Sequence, residues 1–336
     1  MKAAVFEKER FLAIEDVPEP TVADDDVLMR VKYCAICGSD LHRYAFGMLK
    51  PGTIMGHEYF GEIVDLGKNV EGYKAGDRVA RWGGKIIPGR DLPNFPPRFN
   101  ARERGFLQPR PGAYAEYMAV RSENVVRVPD EISDLDASLL EPLTVVVHAV
   151  RLSKIRLGDS AVVLGAGPIG LFALQCAGLA GALKVYVSEI NPVRRKVATE
   201  LGAHQTFDPS AVDLVQEIVK LTEIGADVAF ECAGAKPTLQ QALELVKMSG
   251  RVMVISLCWE QADCVPVEWV GREVEMKACY SHLNSDWAIS LSLIKDKKIK
   301  TTPMVSKIVN LEDIQEAFQE LLKPQSDLLQ VVVQCN

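Results

Sequence analysis

Short runs of apolar, often β-branched residues open the chain: "KAAVFEK" (2–8), "DVLMRVKYCAI" (26–36), "YFGEIVDLG" (59–67) and "GDRVARW" (76–82). Gly, Pro and Asp bound these runs, which is the mark of strands between turns. Their irregular spacing and Gly-rich connections predict a barrel-like antiparallel domain rather than alternating strands and helices. Residues 83–112 lose periodicity and are crowded with Pro and Arg, so they read as a long surface lobe. Beyond residue 134 the period changes. "DLDASLLEPLTVVVHAVRLSKI" (134–155) is apolar at helical spacing, with Asp134 as its expected cap. From about 158 to 283 strands and helices alternate. Strands are expected at 160–164, 184–189, 205–209, 225–234 and 251–258, and helices after the glycine turn at 165–170 and at 192–203, 212–222 and 236–250. Such alternation implies βαβ units on a parallel sheet, an α/β fold. The tail adds one helix within 308–324 and a last strand, "LLQVVVQC" (328–335).

Length and composition narrow the class. A chain of 336 residues, 48% hydrophobic and 25% charged, suits two domains with ordinary cores. Its net charge of -7 speaks against a nucleic-acid partner, which would want a basic face. No apolar run reaches the roughly 18 residues that span a bilayer, so no membrane role is expected. The start, "MKAAVFEKER", lacks the apolar core of a signal peptide, and a cytoplasmic protein is expected. Eight cysteines are scattered along the chain, which fits reduced thiols and metal ligation better than a disulfide framework.

Two motifs carry chemistry. "GAGPIG" is Gly165, Ala166, Gly167, Pro168, Ile169 and Gly170, placed between a buried strand and a helix. In that context the glycines serve a tight turn, close approach of a pyrophosphate and tight helix–strand packing, with the helix N-terminus facing the phosphates. Glu189 follows 19 residues after Gly170, placed to accept from ribose hydroxyls and to repel a 2′-phosphate, which favours NAD over NADP. Arg194 and Arg195 pull the other way, since either could accept a 2′-phosphate. The second motif is "CAICGSDLHRY" (34–44), followed by His57, Glu58 and later Glu141. A redox CxxC would open a helix in a thioredoxin-like unit, and a structural zinc would want a second CxxC. A three-ligand zinc site with an open position fits better, and that is the catalytic pattern.

"CGSDLH", "GHEYFGEIV", "GDRV", "LLEPLTVVVHA", "GAGPIG" and "ELGA" together resemble the zinc-dependent medium-chain alcohol dehydrogenases, in the polyol branch that includes sorbitol, butanediol and threonine dehydrogenases. The resemblance spans essentially the whole length. It implies a GroES-like catalytic domain at 1–146 and 284–336, interrupted by a Rossmann domain at 147–283. By the same resemblance Cys37, His57 and Glu58 match zinc ligands, and Glu141 matches a second acid that contacts the zinc or its water. Ser39 matches the hydroxyl that takes the substrate proton, and His42 the outer end of a relay. Cys34 is then a packed residue and not a ligand. The implied reaction is reversible oxidation of a secondary alcohol to a ketone, with one zinc per chain and NAD, in a homodimer or homotetramer. Pairing is expected at the edge strand "EVEMKACYS" (273–281). The lobe has no cysteines, so it lacks the four-cysteine structural zinc of many relatives. Arg43, Lys50 and Arg81 hint at a polar or anionic substrate. Rival readings are a threonine, amino-alcohol or sugar-phosphate dehydrogenase of the family, a zinc-free quinone or enoyl reductase, and a catalytically silent NAD-binding regulator.

Overall fold

The computed structural model describes residues 1–82, 112–324 and 326–336. The chain forms two compact units. One comprises Met1–Glu141, Leu283–Asp296 and Val305–Asn336, the other Pro142–His282 and Lys297–Met304. Almost all of the segment read as a surface lobe lies outside the described residues. Among the described residues no helix is long and apolar enough to cross a membrane.

The first unit is antiparallel for most of its length. Strands β1 (Lys2–Lys8) and β2 (Phe11–Asp16) pair with each other, and β1 also pairs with the short β4 (Thr53–Ile54). The larger sheet is built on β3 (Asp26–Ala35), which lies between β16 (Gln330–Gln334) and β5 (Glu58–Leu66). Its order continues through β6 (Arg78–Arg81) to β8 (Val125–Arg127), while β7 (Tyr117–Arg121) pairs with β3. Along β3, Val27, Met29 and Val31 are buried while Arg30 and Lys32 reach outward, the two-residue alternation of a half-buried strand. The inward set packs with Ile63, Val79, Met118, Tyr114 and Phe318 in one core. Helix α1 (Gly38–Ala45) leaves the end of β3 directly.

The second unit is a six-stranded parallel sheet in the order β11-β10-β9-β12-β13-β14. The strands are β9 (Ser160–Leu164), β10 (Lys184–Ser188), β11 (Gln205–Phe207), β12 (Ala226–Glu231), β13 (Val246–Val254) and β14 (Glu275–Ala278). This is the doubly wound Rossmann order, and it reverses between β9 and β12. Both faces of the sheet are covered, so "AVVL" of β9 is buried without alternation. The last strand is the sheet edge, as the run 273–281 predicts.

Several boundaries differ from the sequence reading. The helix expected from Asp134 is two, α2 (Asp134–Ser138) and α3 (Leu140–Ser153), and its cap is Ser133, whose hydroxyl accepts the Asp136 N–H at 3.1 Å. The helix expected over 236–250 stops early. After α4 (Pro168–Leu179), α5 (Pro192–Glu200) and α6 (Leu214–Thr222), helix α7 covers Thr238–Leu245 only, and Val246 already belongs to β13. Pairing of Val246 with Ala226 takes the residues that the helical period had claimed, so tertiary context overrides a weak local preference. After the short α8 (Pro266–Val270), the tail carries more than one helix and one strand. It adds helix α9 (Asn284–Lys295) and strand β15 (Val305–Asn310), which pairs parallel to β16, before helix α10 (Ile314–Leu321).

Candidate active site

The pairing of β3 with β5 explains why distant residues meet. Ala35 faces Glu58 across that ladder, so the exit of β3 lies beside the entry of β5. Cys37 occupies the cap position of α1, two residues past the ladder, and His57 immediately precedes it on the other strand. As a result the ligand atoms of Cys37, His57 and Glu58 all lie within 4.8 Å of one another. Among the described residues this is the one group of its kind.

Asp40, which the sequence reading did not single out, stands behind the imidazole. It is fully buried in the first turn of α1, with Oδ1 3.2 Å from His57 Nδ1, while Oδ2 accepts the Tyr114 hydroxyl at 2.8 Å. A carboxylate beside Nδ1 attracts the imidazole and favours Nε2, on the Ser39 side, as the candidate ligand atom, the kind of support a metal-bound histidine commonly has. Ser39 lies on the Nε2 side, its Oγ 3.4 Å from Nε2 and donating to Cys37 Sγ at 3.2 Å.

The electrostatics favour a cation here. Burial pushes the Glu58 carboxyl well above its usual range, and the charges of Cys37 and Glu141 add to the rise. Glu58 Oε2 is buried with no hydrogen-bond partner among the described residues. Burial would also raise the Cys37 thiol, but the charge and hydrogen bond of His57 outweigh it and lower the pKa. His57 itself is held well above its usual value: burial pulls it down, and Asp40 and Cys37 more than compensate. A thiolate, an imidazole and a carboxylate that burial penalises form a donor set that zinc fits.

Other candidate residues fall into place around this group. Glu141 lies outside the three, its Oε1 accepting from Arg81 at 2.9 Å. Arg81 also donates to the His57 carbonyl at 3.1 Å, so its guanidinium is tied to the site's frame. His42 donates Nδ1–H to the Gly38 carbonyl at 2.7 Å, and burial lowers its pKa. Burial outweighs the opposing pull of that hydrogen bond, and the bond fixes the proton of the neutral ring on Nδ1. Cys34 is buried with its thiol raised well above the usual value by burial, as befits a packed residue.

In the second unit the glycine turn joins β9 to α4. Gly165 takes the left-handed conformation, φ 92°, and donates to the Ser188 carbonyl at 2.7 Å. Gly167 is the extended cap of α4, and Pro168, Ile169 and Gly170 form its first turn. Glu189 is buried just past β10, its carboxylate accepting from the N–H groups of Ala166 at 2.7 Å and Asn191 at 2.9 Å. The acid thereby ties the glycine turn to the end of the next strand. Arg195 donates to the carbonyls of Glu189 and Ile190 at 2.6 and 2.8 Å and pairs with Asp208 at 3.1 Å. Through Nη1 its guanidinium braces this turn. Arg194 sits in the first turn of α5, its N–H bonded to Asn191 Oδ1 at 3.1 Å.

Asp40→Asn is expected to keep the fold and weaken zinc binding about 10- to 100-fold, the usual cost of losing such a supporting carboxylate. Competition with a chromogenic chelator measures it, and unchanged affinity would remove Asp40 from the site.

Known proteins match both units. A family model described as zinc-binding dehydrogenase covers residues 168–296, and one described as alcohol dehydrogenase GroES-like domain covers residues 23–130. The (R,R)-butanediol dehydrogenase of Bacillus subtilis (strain 168) is 36% identical over 346 residues, 98% of each chain. Sorbitol dehydrogenase of the same organism is 32% identical, covering 100% of this chain and 98% of its own. The crystal structure of 2R,3R-butanediol dehydrogenase from Bacillus subtilis superposes with a TM-score of 0.88 at 33% identity, covering 100% of this chain and 99% of that one. Fold, site and matches define a zinc-dependent oxidoreductase that uses a nicotinamide dinucleotide. The chain belongs to the zinc-dependent medium-chain alcohol dehydrogenase family, in its polyol branch.

Proposed function

We propose that this enzyme oxidises a secondary alcohol bearing a neighbouring hydroxyl or other polar group, reversibly to the ketone, with NAD preferred over NADP. The convergence of Cys37, His57 and Glu58, with Asp40 bracing the imidazole, is the observation that carries this reading. These three residues would hold one zinc per chain, and Glu141 would serve as a nearby second acid. Bound there, zinc would polarise the alcohol oxygen and lower its pKa, and NAD would take up the hydride. Ser39, between Cys37 and the imidazole, would take the hydroxyl proton, and His42, on the same helix, would be the outer end of the relay. Gly165, Gly167, Pro168, Ile169 and Gly170 would receive the pyrophosphate, with Glu189 on the ribose and Arg194 beside it. Steady-state turnover on a panel of 2,3-butanediol, sorbitol, xylitol and threonine, with each cofactor in parallel, tests the reading. A vicinal diol or polyol with NAD is expected to give the highest kcat/KM. Threonine as the best substrate, or a higher kcat/KM with NADP, would overturn the corresponding part.

A dimer or tetramer is also proposed. Strand β14 is an unpaired sheet edge with Met276 exposed, and the adjoining α8 buries none of its residues, leaving Val267 and Val270 in the open. An unpaired strand edge flanked by exposed apolar side chains is a liability unless another chain covers it. Light scattering is expected to give at least twice the chain mass of 37.0 kDa, and a monomer at micromolar concentration would refute this. Work in the cytoplasm is the compartment proposed, in keeping with eight free cysteines.

A further inference from the structure

We propose that Glu231 is a positioning residue for the nicotinamide half of the dinucleotide, fixing the loop that leaves β12. This rests on the reading of the second unit as a dinucleotide-binding fold.

The carboxylate is 2% exposed, and among the described residues no ion pair reaches it. Its neighbours are dipoles. Oε1 accepts from the N–H of Ala233 at 3.0 Å, the N–H of Gly234 at 2.9 Å and the hydroxyl of Thr238 at 2.8 Å. Oε2 accepts the Ser256 hydroxyl. The main-chain oxygen of Glu231 accepts from Ile255 at 3.0 Å and Ser256 at 3.2 Å. One residue therefore binds the loop after β12, the first residue of α7 and the end of β13.

A buried carboxylate without a cation is costly, and a turn that merely had to close could use Ser, Asn or Asp. Its position explains the expense. In an open parallel sheet the ligand lies outside the carboxyl ends of the strands where their order reverses, here between β9 and β12. Glu189 stands past β10, on one side of that point, and Glu231 ends β12, on the other. The loop that Glu231 holds also abuts the glycine turn: a Cβ on Gly165 would lie 3.0 Å from the Cα of Ala233. Its backbone is bent for the purpose, with Gly234 left-handed at φ 65°. If the ribose that Glu189 meets is the adenosine one, the half of the dinucleotide left for the β12 side is the nicotinamide.

The test separates the two halves of the cofactor. In the zinc-loaded enzyme, Kd is measured by calorimetry for NADH and for AMP, in wild type, Glu231→Ala and Glu231→Gln. Glu231→Ala is expected to weaken NADH at least about tenfold, the scale of losing the acceptor for several donors, and to leave AMP within about twofold. Glu231→Gln should stay near wild type, because its amide oxygen keeps the three donors and its NH₂ can donate to Ser256. Unchanged NADH binding in Glu231→Ala would overturn the proposal, and so would equal weakening of NADH and AMP. Should Glu231→Ala not fold, Ser256→Ala must show the same split on a smaller scale, and its absence would overturn the proposal. Failure of the wild type to bind NADH would instead sink the underlying dinucleotide reading.

Discussion

Cys37→Ser is expected to fold, to lose its zinc and to lose at least about 10³-fold in kcat. Serine is close in size to cysteine, and Cys37 is only partly exposed at a helix cap, so little packing changes. The chemistry changes more. At Cys37 the charge of His57 lowers the thiol pKa against the pull of burial, while a serine hydroxyl stays protonated near neutral pH and gives zinc no anionic sulfur. What remains is an imidazole and a carboxyl that burial has already pushed toward its neutral form. Loss of Lewis-acid stabilisation is worth several kcal/mol, and about 4 kcal/mol is roughly three decades in rate. Metal analysis, circular dichroism and steady-state kinetics on one preparation decide the matter. A folded, metal-free variant with parental turnover would refute the ligand assignment.

Gly170→Ala should cost nearly as much by a different route. A Cβ on Gly170 would lie 1.8 Å from the Gly165 carbonyl oxygen and 2.9 Å from its carbon. Those atoms are backbone, so no side chain can swing aside. Moving Gly165 would also disturb its hydrogen bond to Ser188 and the adjoining bond from Ala166 to Glu189. Overpacking of this kind costs about 3 kcal/mol. We expect NADH affinity to fall about 10²-fold and Tm to drop by several degrees. An alanine variant that binds NADH within about twofold of wild type would mean that helix and turn approach less closely than described.

The two sites were legible in the sequence to different degrees. The glycine turn is a local feature, six residues set between a strand and a helix, whereas the bond from Ala166 to Glu189 spans 23 residues and depends on the pairing of β9 with β10. Cys37, His57 and Glu58 could be named from their motif, but their meeting depends on the pairing of Ala35 with Glu58, which no spacing specifies. Asp40 was hidden altogether. In sequence it is an acid in the first turn of a short helix, where a solvated side chain is the ordinary expectation. Only the fold places it under Tyr114, 74 residues later, and against His57. Arg81 and Glu141, 60 residues apart, give the same lesson, since a side chain that looks available in sequence is paired in space. In the fold, the boundary at Val246 failed because leucine- and valine-rich residues fit a helix or a buried strand, and β12 decides between them.

Zinc titration into the chelated enzyme tests the central claim most directly. Removal of metal is expected to abolish NAD-linked oxidation of a vicinal diol such as 2,3-butanediol, and activity should return in proportion to added zinc up to one equivalent per chain. Full turnover in demonstrably metal-free protein would contradict the account.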